Sequence, residues 1–235
     1  MKAGGGQGAM STRRVPIIGV VGGIGSGKSE FSRALESEGC VRLEADRVGH
    51  EMLRKAEVYG ELVLEFGREI LGPDGQIERG RLAAKAFGSE AGTETLNRIV
   101  GGALWPELRR RALEAADHAG PGAAAVVLDA ALIYESGTDE ICDSVVFVEA
   151  PDEDRRRRVK ETRGWDWEEV ERRESRQIGL RRKRKMADEV CENVAGLDHL
   201  RGEARRVLAK VRERFFSPHK QSADVPGRQP GGLPA

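Results

Sequence analysis

The stretch VVGGIGSGKSE, residues 20–30, decides the fold of this chain. It begins with apolar residues, places four glycines close together, and ends with residues that suit the first turn of a helix. Residues 22–29 match the pattern of a glycine, four further residues and then Gly-Lys-Ser, which is typical of a phosphate-binding P-loop. Glycines permit positive φ angles and let successive N–H groups converge on phosphate oxygens. The stretch therefore predicts a strand, a phosphate-binding loop and a helix.

This loop supplies the candidate residues for binding a nucleoside triphosphate. The backbone candidates are Gly23, Ile24, Gly25, Ser26 and Gly27, and the side-chain candidates are Lys28 and Ser29. We expect the lysine to reach the outer phosphates and the serine hydroxyl to ligate Mg²⁺. The alternative is a glycine-rich turn without a ligand, which the strand and helix on either side of the loop make the weaker interpretation.

Outside the loop, short apolar runs alternate with helical patterns. The runs cover residues 15–21, 39–43, 123–128 and 144–149, and a further short strand is expected near residue 190. Apolar strands that alternate with helices indicate a parallel sheet covered on both faces. The predicted fold class is therefore α/β, with a P-loop core whose short parallel sheet is flanked by helices.

Two regions interrupt this core. Residues from about 49 to 120 have mostly amphipathic helical patterns around a turn at 72–75, which predicts a helical insertion. Residues from about 155 to 185 form a charged, mobile helical pair around a break at Gly164 and Trp165, and we name this segment the lid. The P-loop domain is predicted to span residues 15–216, between disordered tails at 1–14 and 217–235.

The balance of charged residues limits the kinds of partner that this chain is expected to bind. The 235 residues include 39 Lys and Arg and 39 Asp and Glu, so no net charge attracts nucleic acid or an anionic membrane. The basic run at 181–185 is flanked by acids and has no interleaved aromatic residues, which favours a solvated or ATP-facing surface over nucleic-acid binding.

Three widely spaced cysteines indicate reduced thiols with a packing role. Without an apolar run of about 18 residues, the chain is predicted to be cytoplasmic and not to span a membrane.

Two aspartates follow predicted strands. Asp46 comes after the second strand, where it can act as a general base toward an acceptor hydroxyl or can cap a helix beginning at Arg47. The residues alone leave these two interpretations open. Asp129 ends the third strand, where a P-loop protein often keeps an acid that holds magnesium through water.

Several motifs in a fixed order resemble those of the dephospho-CoA kinases. They are GGIGSGKS at 22–29, EADRVGHEML at 44–53, FGREILGPDGQIERGRLAAKAF at 66–87, LDAALIYESG at 128–137, RGW at 163–165 with Gln177, and KRKMADEVCEN at 183–193. The resemblance runs from Ile17 to about Val211. It implies transfer of the γ-phosphate of ATP to the ribose 3′-hydroxyl of dephospho-coenzyme A, with ATP and Mg²⁺ as cofactors. It leaves the oligomeric state open.

The resemblance also implies roles for single residues. It places Asp46 as the base, Arg163 as a lid arginine near the ATP phosphates, and Asn193 beside the adenine pocket. Arg79 resembles an arginine of the acceptor-binding region, and Glu135 matches a glutamate of the family's Pro-Leu-Leu-x-Glu stretch. The alternatives are a solvated charge for either arginine, a turn residue for the asparagine, and a cap on the turn at 136–137 for the glutamate.

The most serious departure from the family pattern lies in the insertion. Where the family usually has His-Pro, this chain has Gly101 and Gly102, and a proline returns only at Pro106, which predicts a helix start moved by one turn. The change puts the affinity or identity of the acceptor in question. It leaves two alternatives: a P-loop kinase for another small acceptor such as a nucleotide, and a family member that binds nucleotide or CoA without turnover.

Overall fold

The computed structural model describes residues 14–120 and 122–217. Its centre is one parallel sheet of five strands in the order β2-β3-β1-β4-β5. The strands are β1 (Ile17–Gly22), β2 (Val41–Glu44), β3 (Val126–Asp129), β4 (Ser144–Glu149) and β5 (Glu189–Glu192). The predicted α/β fold with a short parallel sheet is confirmed. The sequence between and after the strands forms helices, which begin and end as follows.

The α-helices are α1 (Lys28–Ser37), α2 (Ala45–Met52), α3 (Ala56–Phe66), α4 (Arg79–Ala86), α5 (Glu90–Leu96), α6 (Gly102–Asp117), α7 (Asp152–Arg163), α8 (Trp167–Glu174), α9 (Leu180–Met186) and α10 (Gly196–Phe216). Short 3₁₀ segments cover Arg68–Ile70 and Thr138–Ile141, and a π-helical turn covers Asn97–Gly101.

Helices cover both faces of the sheet, which explains why the central strands β1, β3 and β4 are mostly apolar without alternation. On one face Ile18 and Val20 pack with α1 and α10, and on the other Ile17 and Val21 pack with α2 and α6. All four side chains are fully buried. The sheet therefore forms a rigid platform whose strands all end at the same edge, where the P-loop begins.

The insertion has a small apolar core of its own. This core joins α3, α4 and the π-helical turn, and its buried residues are Val58, Leu62, Phe66, Ile70, Leu82, Ala86 and Ile99. A separate core of this size gives the insertion its own packing beside the sheet. Its role as a domain, and the domain boundaries given above, stay predictions.

The structure corrects the expected helix start at Pro106. Helix α6 begins at Gly102 and continues directly from the π-helical turn, so Pro106 lies inside the helix. A proline lacks the N–H that would bond the carbonyl one turn earlier. The preceding π-helical turn already departs from the regular hydrogen-bond ladder, so the proline falls where that ladder is disturbed.

Most of both predicted tails, residues 1–13 and 218–235, lies outside the described residues. The cysteines form no disulfide, and Cys40 and Cys191 are buried, which agrees with a packing role. Burial raises the pKa of both of these thiols to about 12. Across residues 14–120 and 122–217, no helix is both long and apolar enough to cross a membrane.

Candidate active site

The P-loop runs from the end of β1 into α1, and two of its glycines are required by their surroundings. Gly25 and Gly27 have φ angles of 78° and 93°, which other residues rarely adopt. A Cβ atom at Gly27 would lie 2.2 Å from Nδ2 of Asn193, and one at Gly25 would lie 2.8 Å from a methyl group of Val159. Because glycine has no Cβ atom, neighbouring side chains can lie close to the loop at these two positions. The glycines also leave the N–H groups of the loop accessible.

Lys28 begins α1 and folds back over the loop. Its Nζ donates to the carbonyl oxygens of Gly22 at 3.0 Å and Gly23 at 2.9 Å. Burial lowers the pKa of Lys28 to about 8, an effect that the charge of Asp129 partly opposes. Lys183, Glu174 and Arg163 also act on this ammonium group. The structure thus gathers charged groups from β3 and the lid around the P-loop lysine.

Asp129 lies beside the P-loop but already has a partner. Its backbone pairs with Val20 of β1 and Glu44 of β2, which places the carboxylate at the shared edge of the three strands. Nη2 of Arg42 donates to Oδ2 of Asp129 at 2.6 Å and lies 3.0 Å from Oε2 of Glu44. The described residues contain no cluster of three or more His, Cys, Asp or Glu that could hold a metal ion. Magnesium bound to a nucleotide needs only one or two protein oxygens, so Ser29 and Oδ1 of Asp129 fit such an ion.

Asp46 lies in the first turn of α2, directly after β2. The helix begins at Ala45 and its N-cap position is Glu44, so the expectation that Asp46 caps a helix beginning at Arg47 is wrong. The carboxylate of Asp46 is exposed to solvent at the same edge of the sheet as the P-loop. An exposed carboxylate at this edge is free to meet a second substrate.

Glu135 contacts the lid, and not the turn at 136–137 that was the alternative interpretation of this residue. Its Oε1 lies 2.7 Å from Nζ of Lys183 and accepts a hydrogen bond from the backbone N–H of Ile178 at 2.9 Å. Lys183 also donates to Oε1 of Gln177 at 3.1 Å and to the carbonyl oxygen of Ala131 at 2.9 Å. Lys183 is fully buried, so the expectation of a solvated basic run fails at this residue, although its four neighbours in the run are exposed.

Asn193 and Arg163 approach the site from β5 and the lid. Asn193 is buried, and its Nδ2 donates to the carbonyl oxygen of Ser26 at 2.9 Å, so it supports the P-loop directly. Arg163 ends α7 at Gly164, which has a left-handed conformation, and its guanidinium lies 4.9 Å from the ring centre of Trp165. Arg163 is exposed, and its charge acts on Lys28.

Arg79 is the candidate that the structure does not bring to the sheet edge. It is the first residue of α4, within the insertion, and its side chain is exposed. Its position agrees with either interpretation of this arginine, a solvated charge or a group that binds the acceptor.

Two residues that contact the P-loop, Arg155 and Glu174, have no signature in the sequence. Arg155 donates from Nε to the carbonyl oxygen of Ile24 at 2.9 Å, and Oε1 of Glu174 accepts a hydrogen bond from the backbone N–H of Ile24 at 2.6 Å. Both residues belong to the predicted lid, where acids and bases alternate so densely that no spacing distinguishes them. The lid also contains three helices, α7, α8 and α9, rather than the expected pair.

Family models and curated relatives show what this chain is similar to. The dephospho-CoA kinase family model matches residues 16–199. A dephospho-CoA kinase of Corynebacterium glutamicum is 40% identical over 198 residues, which cover 84% of this chain and 98% of the relative. A dephospho-CoA kinase of Rhodopirellula baltica is 36% identical over 197 residues, which cover 83% of this chain and 91% of the relative.

Solved structures show the same fold. The crystal structure of TT1252 from Thermus thermophilus has a TM-score of 0.67 and 32% identity, and the match covers 84% of this chain and 98% of that one. The dephospho-CoA kinase of Campylobacter jejuni has a TM-score of 0.55 and 22% identity, with 83% and 97% covered. The curated relatives share this chain's sequence over nearly their whole length. The chain belongs to the dephospho-CoA kinase family.

Proposed function

We propose that this protein transfers the γ-phosphoryl group of ATP to the ribose 3′-hydroxyl of dephospho-coenzyme A, giving coenzyme A and ADP, the last step of coenzyme A biosynthesis. The observation that carries the proposal is the arrangement at one edge of the sheet. There a P-loop with its lysine follows β1, while Asp46 and Asp129 follow β2 and end β3. Ligands of open parallel sheets bind at this edge, and the family membership of the chain names the reaction.

The nucleotide is held by the P-loop. The backbone N–H groups of residues 23–29 receive the phosphates, and Lys28 exchanges its bonds to the carbonyls of Gly22 and Gly23 for bonds to phosphate oxygens. Ser29 and Asp129 are the residues that would hold Mg²⁺, which would offset the negative charge of the phosphate oxygens. Asn193 keeps the loop in place from the side of β5.

The acceptor hydroxyl is activated by Asp46. As the acceptor oxygen forms its bond to the γ-phosphorus, the bond from that phosphorus to the β,γ-bridging oxygen breaks and its electron pair leaves with ADP. The proton of the hydroxyl passes to the Asp46 carboxylate. Arg163 stabilises the transferring group by its fixed charge, and Arg79 and Glu135 belong to the acceptor side.

One observation favours a second candidate acceptor. The π-helical turn at Asn97–Gly101 and the following Gly102 present no side chain where the family usually has a histidine. A site without that imidazole suits a kinase for another small acceptor, such as a nucleotide. Both candidates are enzymes that act on small molecules in the cytoplasm, without nucleic acid or membrane as partner.

The experiment supplies ATP and Mg²⁺ with dephospho-coenzyme A, or with a panel of nucleosides and nucleotides, and measures ADP release and product mass. Dephospho-coenzyme A should give a product heavier by one phosphoryl group, at a rate far above that of the panel. Phosphorylation of a panel member instead would establish the second candidate. Nucleotide binding without any phosphorylated product would show a binding protein rather than an enzyme.

Replacement of Asp46 tests the chemistry. Asp46→Asn keeps the shape of the side chain but removes the base, so kcat should fall by about 100-fold or more while the Kd for ATP changes less than about threefold. Asp117→Asn at the end of α6 is the control, because it removes one exposed carboxylate remote from the P-loop. An unchanged kcat in Asp46→Asn would remove Asp46 from the role of base.

A further inference from the structure

A carboxylate of the predicted lid sits on the P-loop. Glu174 ends α8, and its Oε1 accepts a hydrogen bond from the backbone N–H of Ile24 at 2.6 Å. The same oxygen accepts a hydrogen bond from Nη2 of Arg155, and the Glu174 side chain is only 16% exposed. The amide at Ile24 belongs to the loop that receives phosphates, so a negative group supplied by the protein itself occupies part of an anion site.

Arg155 fixes this carboxylate and the loop at the same time. Its Nε donates to the carbonyl oxygen of Ile24 at 2.9 Å and its Nη1 to Oδ1 of Asp152 at 2.9 Å, and its guanidinium lies 5.0 Å from the ring centre of Trp167. The Arg155 side chain is 6% exposed. Both polar backbone groups of Ile24 are therefore engaged by one buried ion pair, which is a more ordered contact than a surface salt bridge.

We infer that Glu174 is an affinity-setting residue of the nucleotide site, whose carboxylate competes with a nucleotide phosphate for the N–H of Ile24 and for Arg155. The inference rests on the proposed function, because it takes a nucleoside triphosphate to be the ligand of the loop. One N–H group makes one short hydrogen bond to a charged oxygen, and two anions a few ångströms apart repel strongly where little water screens them.

Nucleotide binding consequently requires Glu174 to leave Ile24. When it leaves, Nη2 of Arg155 loses its partner and becomes available to donate to a phosphate oxygen. Arg155 thus changes from a structural contact of the empty loop to a phosphate contact of the filled loop. Part of the binding free energy of the nucleotide is spent on this exchange, which lowers the apparent affinity.

Replacing the charge while keeping the shape tests the inference. In Glu174→Gln the amide oxygen still accepts hydrogen bonds but carries no charge, so a phosphate displaces it more easily. Isothermal titration of the full chain with ATP should give a Kd about tenfold lower than that of the unmodified protein. The KM for ATP should fall in parallel, with no increase in kcat. Glu171→Gln is the matched control, because it removes one exposed carboxylate from the same helix and should change the Kd by less than about twofold.

Each outcome decides between the two proposals. If the unmodified protein binds ATP and Glu174→Gln binds it equally or more weakly, Glu174 only supports the loop and the inference is wrong. If Glu171→Gln tightens binding as much, the effect is a general one of charge and the inference is again wrong. If the unmodified protein does not bind ATP, the proposed function itself fails. Glu174→Ala, which cannot accept a hydrogen bond, provides a second variant and should also tighten ATP binding.

Discussion

At the scale of single residues, Lys28 shows how the fold prepares a phosphate site. Its ammonium group is half-buried and donates to two carbonyl oxygens of its own loop. These carbonyls accept two hydrogen bonds from the three N–H donors of the ammonium group and carry no full negative charge, so the lysine retains a strong preference for an anion. The loss of water around Lys28 lowers its pKa to about 8, well below the ordinary 10.5.

The lowered pKa of Lys28 predicts a loss of activity at alkaline pH. The ammonium form holds phosphate, and because the pKa of Lys28 is about 8 rather than the ordinary 10.5, the proton is lost as the pH rises through 8. The kcat/KM for ATP should therefore be level below pH 7.5 and fall about tenfold per pH unit above pH 8.5. Its measurement between pH 6.5 and 9.5 checks this expectation.

Lys28→Arg provides the control for this pH dependence. A guanidinium keeps its charge throughout that range, so the alkaline fall should disappear even though the bulkier side chain lowers kcat/KM overall. The same fall in Lys28→Arg as in the unmodified protein would mean that another group titrates.

A site residue can be recognised from the sequence when the residues that form the site with it are close in the chain. It cannot be recognised when they are far apart in the chain. The P-loop could be recognised because its glycines, lysine and serine are consecutive, and phosphate binding dictates their order. The contact between Ile24 and Glu174 joins residues 150 positions apart. Nothing in the local pattern separates Glu174 from the other acids of α8, so only the fold reveals it. Lys183 was missed for the same reason, since its burial depends on Glu135 and on the loop after β3.

At the scale of secondary structure, the helical run from α5 to α6 is the least regular part of the insertion. It passes through the π-helical turn at Asn97–Gly101 and then through Pro106. The central strands β1, β3 and β4 were easier to place, because each is a short, mostly apolar run, as a strand covered on both faces of a parallel sheet requires. The π-helical turn has no such signature, and the two glycines before Pro106 suggested a helix start that the packing of α6 overrides.

The two glycines of this run predict different responses to substitution. Gly102 has helical φ and ψ angles, and a Cβ atom there would meet no atom within 4 Å. Gly102→Ala should therefore raise the free energy of unfolding by about 0.5–1 kcal/mol, because alanine loses less backbone entropy in a helix. Gly101→Ala should raise the free energy of unfolding by less, since its Cβ atom would lie 3.3 Å from Nε1 of Trp105. Urea denaturation of the three proteins measures the difference.

Gly60→Ala in α3 provides the matched control. Gly60 is another glycine inside a helix, and a Cβ atom there would also meet open space. If Gly60→Ala raised the free energy of unfolding while Gly102→Ala lowered it, the run from α5 to α6 would need a flexible residue at position 102.

At the scale of the whole molecule, the lid touches the insertion as well as the P-loop. The guanidinium of Arg173 in α8 lies 4.0 Å from the ring centre of Trp165 and 5.6 Å from that of Phe87, which follows α4. Nearby, Nη1 of Arg176 lies 3.4 Å from Oγ1 of Thr93 in α5. One face of the lid thus reaches the predicted nucleotide site and another reaches the predicted acceptor side. These contacts between distant segments were not predictable from the sequence, which indicated only that both segments are helical.

The contacts of Arg173 with Trp165 and Phe87 predict that replacing Arg173 changes the KM for the acceptor more than the Kd for ATP. Arg173→Gln removes the charge that lies over both aromatic rings, a contact worth about 1 kcal/mol when partly shielded from water. The insertion should then be held less firmly against the lid, so the KM for dephospho-coenzyme A should rise about three- to tenfold while the Kd for ATP stays within about twofold. Arg172→Gln is the matched control, because Arg172 and Arg173 both pair with Glu169, whereas only Arg173 lies over the two rings. Equal effects of the two substitutions on both substrates would show that loss of the Glu169 pair, rather than the contact with Phe87 and Trp165, weakens the site.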